Sequence, residues 1–161
     1  MKLSILVLAL SLAGGGDAPK SKTDQEQLQG TWTMTSLHVG DRDLVASDGY
    51  ESLTFEGDKM FITRNGQRFD KGTTFKLDPT KSPRTIDLEI DGAPKDEAEP
   101  KDDEKIVYQG IYEFDGPRLR ICFHQKKRPT KFESEKQMGE PFNVLYKLER
   151  KIKDIGAAQA L

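Results

Sequence analysis

Cys122 and His124 stand two residues apart, a spacing that puts both side chains on one face of an extended strand. A thiolate and an imidazole there could supply two metal ligands, but two are too few. No Cys-x-x-Cys or His-x-x-x-His accompanies them, and His38 is the only other histidine, so they read as a small packed residue and a strand-end histidine with no metal. Asp87, Glu89 and Asp91 share a strand face in the same way and could be imagined as acid–base partners or calcium ligands. Neither the calcium-loop spacing nor an apolar shell that would raise a carboxyl pKa surrounds them, so a solvated face is expected. Lys126, Lys127, Arg128 and Lys131 make the one basic cluster, broken by Pro129 and flanked by Phe123 and Phe132. Such a loop could hold an anionic sugar, a phosphate or an acidic partner, or it could simply solubilise a hairpin. The chain carries no Gly-x-Ser-x-Gly elbow, no phosphate-cradling glycine loop and no His-Glu-x-x-His, so the expectation is a non-enzyme without a cofactor.

The elements that must position these residues are bounded by composition. At 161 residues, 32% charged and 35% hydrophobic, with eight Phe, four Tyr and one Trp, the chain suits one soluble domain with a single core. A net charge of -2 supplies no general field for nucleic acid. A lone cysteine excludes an internal disulfide, and a monomer is expected.

Lys2, the apolar run Leu3 to Ala13 and the small residues Gly14 to Gly16 have the pattern of a secretory leader, placing a signal peptide at residues 1–15 and the protein in the periplasm or outside the cell. The run falls short of the ~20 residues that span a bilayer as a helix, so no membrane span is expected. Leu12-Ala13-Gly14-Gly15 is similar to a bacterial lipoprotein box except that Gly15 stands where the acylated Cys would be, which leaves no thiol for a lipid anchor. Residues 16–26 lack apolar periodicity and read as a tether.

From there, short apolar-alternating runs separated by turn residues predict eight strands: 30–39, 51–56, 59–64, 73–77, 84–91, 105–114, 118–124 and 142–148. Asn65-Gly66 is the strongest hairpin signal, and Asp115-Gly116-Pro117 predicts a second hairpin. The acidic stretch Pro94 to Glu104 reads as a mobile loop, and residues 151–161 form a tail without a pattern. Antiparallel strands in chain order are most simply closed as an eight-stranded up-and-down barrel over residues 27–150, because closure removes exposed edges.

Leu28-Gln29-Gly30-Thr31-Trp32 resembles the Gly-x-Trp opening of lipocalins. With Phe75-Lys76-Leu77-Asp78-Pro79, Pro83-Arg84-Thr85-Ile86-Asp87, Gly110-Ile111-Tyr112, Leu119 to Phe123 and Arg128-Pro129-Thr130-Lys131-Phe132, the chain resembles an uncharacterised lipocalin-like domain family abundant in planctomycete bacteria. The resemblance spans roughly Asp24 to Arg150 and implies an exported, lipocalin-like all-β barrel without catalytic residues to carry over. It also implies that Arg150 packs over Trp32 at one barrel end, a structural contact.

A barrel of this size holds either packed side chains or one small ligand. Met34, Phe55, Met60, Ile62, Phe75, Tyr108, Tyr112, Ile121, Phe123 and Tyr146 are the expected inward residues, suited to lining a site for a small apolar or amphipathic molecule or to filling the interior as solid core. The alternative function is an envelope protein-interaction module that meets its partner through the charged loops.

Overall fold

The computed structural model describes residues 22–90, 106–134 and 143–150. Its elements in chain order are α1 (Asp24–Leu28), β1 (Gly30–Val39), β2 (Arg42–Asp43), α2 (Leu44–Asp48), β3 (Tyr50–Glu56), β4 (Lys59–Arg64), β5 (Gln67–Asp78), β6 (Arg84–Ile90), β7 (Ile106–Asp115), β8 (Arg118–His124) and β9 (Val144–Arg150). Every pairing is antiparallel and follows chain order from β3 to β9. β1 pairs with β3 on one side and β9 on the other, so the sheet closes into the expected eight-stranded barrel. The two-residue β2 pairs with the end of β1, beyond the stretch that β3 covers.

Alternation decides what is inside. Trp32 and Met34 of β1 point inward, and a register shift between Met34 and Ser36 makes Leu37 the next inward residue. The inner face holds one core cluster, built around Trp32, Leu53, Phe55, Ile86, Tyr112 and Ile121, all at most 2% exposed. The Asn65-Gly66 turn forms as expected: φ is 50° at Asn65 and 71° at Gly66, the pair of positive angles that a type I′ loop requires. Gly110 faces inward between Tyr108 and Tyr112 opposite Phe123, and a Cβ there would lie 2.5 Å from the Phe123 ring. Its missing side chain lets that ring lie across the strand.

Several boundaries depart from the sequence expectation. β5 begins at Gln67, not 73, because it continues the hairpin through the charged stretch before Gly72, with an irregularity opposite Met60 and Ile62. β9 runs to Arg150, two residues beyond the expected end. The helix α1 takes in Asp24 to Glu26 from the segment read as a tether, fixed by a capping box in which Thr23 and Glu26 satisfy each other's backbone amides. The leader, the acidic stretch 94–104 and the tail lie outside the described residues. No described helix is long and apolar enough to cross a membrane.

Candidate functional site

The two ends of the barrel differ. At one end α1 sits across the opening, and Trp32 Nε1 donates to the Leu28 carbonyl at 2.7 Å. Arg150 lies over the Trp32 ring, 4.4 Å from its centroid, and donates through Nη2 to the Gln27 and Gln29 carbonyls. Asp24 accepts from the Tyr112 hydroxyl at 2.5 Å and from Arg84 at 3.0 Å, tying the helix to β6 and β7. Phe114 fills the space between Trp32 and Tyr112. Tyr112, Leu119 and Leu148 are each 1% exposed here, while Phe114 and Leu77 are only partly buried.

At the opposite end the inward residues Ile62, Tyr108, Val144 and Tyr146, with Tyr50 beside them, pack against the same core yet remain only half-buried. Three phenols meet there. Burial, and then the neighbouring Tyr50 and Tyr108, push the Tyr146 phenol above its ordinary pKa. Phe123 stands edge-on to Tyr146, with ring centroids 6.0 Å apart, and forms the floor. Arg64 follows Met60 and Ile62 on the inner face of β4 and lies opposite Tyr50. Its guanidinium is 5.0 Å from the Tyr50 ring centroid, and Nε donates to the Asp48 carbonyl at 2.6 Å.

The short helix α2 forms one side of this mouth, with Leu44 and Val45 against the core. Asp43 is its N-cap, and one carboxylate oxygen accepts from the Val45 amide at 3.1 Å and the Leu37 amide at 3.2 Å. Partial burial works against the Asp43 carboxylate, but these amides outweigh it and hold its pKa below the usual carboxylate value. The helix ends at Gly49, whose carbonyl accepts from the Asn65 amide, so the β4–β5 turn anchors it.

On the outside, the segment after β8 is a strap laid across the sheet. His124 Nδ1 accepts from the Lys126 and Lys127 amides and turns the chain. Arg128 then donates to the Gly110 carbonyl at 2.6 Å and reaches Asp87 at 2.7 and 3.0 Å. Pro129 is buried, and Phe132 packs on Ile111, Cys122 and Leu145. Arg120 lies over the Phe132 ring and pairs with Glu113 at 2.6 Å. Cys122 Sγ donates to the Glu133 carbonyl under this cover.

All ten expected lining residues therefore share the inner cluster: Met34, Phe55, Met60, Phe75, Tyr112, Ile121 and Phe123 buried, and Ile62, Tyr108 and Tyr146 half-buried. They divide between a packed half and an accessible half. The basic cluster is divided as well: Lys126, Lys127 and Lys131 are exposed, while Arg128 is folded onto the barrel wall. Asp87 faces Arg128 and Glu89 pairs with Lys76, so the acidic face of β6 is paired rather than merely solvated; Asp91 lies outside the described residues. Among the described residues no three His, Cys, Asp or Glu side chains come together as metal ligands. Sequence reasoning missed Tyr50 and Arg64. Tyr50 lies one residue before the expected strand, and Arg64 continues the inward alternation of Met60 and Ile62, a signal that was present.

Compared with protein-family models, curated proteins and solved structures, the chain finds no match. The geometry of the barrel is what bears on function.

Proposed function

We propose that the chain is an exported, monomeric, non-enzymatic module of the lipocalin-like kind that binds a small apolar or amphipathic molecule at the α2 end of its barrel. The observation that supports this reading is the group of inward, partly exposed side chains gathered at the end away from α1: Tyr50, Ile62, Tyr108 and Tyr146. Small-molecule sites are apolar clefts with a few polar groups that fix orientation, and three phenols over an Ile and Phe floor supply both. Titration with an environment-sensitive naphthalene dye tests it. Saturable one-to-one binding that Ile62→Trp with Tyr108→Trp abolishes is expected; no saturable binding to the wild type would overturn the reading.

A groove of about 250 Å³ beside the β5–β6 turn, lined in part by Pro83, Arg84, Phe114 and Phe132, favours the second reading, a protein-interaction module. Dye binding that survives the double Trp substitution but is lost in Phe132→Ser would move the site to that groove.

A further inference from the structure

Arg64 differs from its fellow arginines. Arg42, Arg68, Arg84, Arg118, Arg120 and Arg128 each lie within 4.0 Å of a carboxylate, and Arg150 is spent on the carbonyls around Trp32. Arg64 has no carboxylate at ion-pair distance among the described residues, and only its Nε is used, by the Asp48 carbonyl. The acids nearest to it in the fold are committed elsewhere. Asp48 faces Arg42 at 4.0 Å, Glu51 accepts from the Gly66 amide at 2.9 Å, and Asp43 caps α2. The ring of Tyr50 and the Asp48 carbonyl hold the guanidinium at the rim, with its two terminal nitrogens left over. Below the rim, Ile62, Tyr108, Tyr146 and Phe123 line an apolar descent.

We infer that the mouth takes an amphipathic carboxylate, its head group bound by the terminal nitrogens of Arg64 and its apolar body lying among Ile62, Tyr108, Tyr146 and Phe123. This rests on the reading of the mouth as a ligand site and adds the charge and shape of the head. A guanidinium presents parallel N–H donors that match the two oxygens of a carboxylate, and such charge-assisted bonds are about twice as strong as neutral ones. The position at the boundary between apolar wall and solvent suits a molecule charged at one end only. Aromatic rings also attract quaternary ammonium groups, but a fixed cation at the rim repels them.

The test compares dodecanoate, 1-dodecanol and dodecyltrimethylammonium on the full chain by displacement of the naphthalene dye. Dodecanoate is expected to bind at least about tenfold tighter than dodecanol, a difference of the size charge-assisted pairs give, and the ammonium weakest of the three. In Arg64→Met the acid-over-alcohol preference should vanish while dodecanol affinity stays unchanged. Arg64→Lys, which keeps the charge without the fork, should keep part of the preference and serves where the Met variant does not fold. Equal binding of acid and alcohol by the wild type, or tighter binding of the ammonium, overturns the carboxylate assignment and leaves the ligand site standing. Failure of all three to bind overturns both.

Discussion

Arg150, the last residue of the last strand, lies over the indole of Trp32, near the start of the first, with its Cζ 4.4 Å from the ring centroid. The two are also register partners in the β1–β9 ladder, so one contact joins the first and last strands and stacks the cation held by the Gln27 and Gln29 carbonyls at the end of α1.

Trp32→Ala should destabilise the fold by about 3–5 kcal/mol, the cost of truncating a large buried aromatic. Urea denaturation reads this directly. Arg150→Met, which keeps the packing of the stem, should cost only about 0.5–2 kcal/mol. A loss below about 1 kcal/mol in Trp32→Ala would mean that the indole does not seal the barrel.

The strap gives a second expectation. Arg128→Ala removes the donor to the Gly110 carbonyl and leaves Asp87 unpaired beneath the segment, at a cost of about 1–3 kcal/mol. Cys122, covered by Phe132 and Glu133, should then react faster with a thiol reagent. Replacing Lys126, Lys127 and Lys131 together with Gln should change stability by less than about 0.5 kcal/mol, because exposed charges contribute little. An unchanged thiol rate in Arg128→Ala would show that Arg128 does not hold the strap.

Gly110→Ala places a methyl 2.5 Å from the Phe123 ring and 2.9 Å from the Cys122 carbonyl. The ring must give way, and overpacking of this kind costs about 1–3 kcal/mol. The thermal midpoint should fall accordingly. The same variant combined with Phe123→Leu should recover part of the loss; no recovery would place the clash on the backbone.

The fold should weaken in alkali. Burial raises the phenol pKa of Tyr112, as does its hydrogen bond to Asp24, and burial with nearby phenols raises that of Tyr146. Above about pH 10 the unfolded chain loses these protons while the folded chain keeps them, so the unfolded state binds fewer protons and stability falls as pH rises. Below about pH 10 neither phenol contributes a slope. Urea midpoints should drop less steeply between about pH 9 and 11 in Tyr112→Phe with Tyr146→Phe than in the wild type. Parallel curves would show that both phenols titrate freely.

Much of the barrel was legible because inward and outward residues alternate. β4 and β8 match their expected bounds since each is a short alternating run that follows a Gly-containing turn, at Gly57 and Gly116. The two helices were missed although their caps were written in the chain: Thr23-x-x-Glu26 for α1, and Asp43 with Gly49 for α2. Five residues are too few to show a 3.6-residue period. The double role of Arg128 was hidden for another reason, since its partners Asp87 and Gly110 lie on β6 and β7, and only the pairing of those strands with β8 brings them under the strap. Arg64 could be placed on the inner face by counting, but its unpaired fork depends on where every neighbouring acid goes.

Closure through β1 and β9 also dictates when the molecule can be finished. Met34 meets Leu148, and Val39 meets Val144, across nearly the whole length of the domain. Loop-closure entropy over such separations makes this seam slow to form compared with the local hairpins around Asn65-Gly66 and Gly116-Pro117. During synthesis the seam cannot form until β9 has emerged, so β1 and β8 spend that interval as open edges able to pair with another chain.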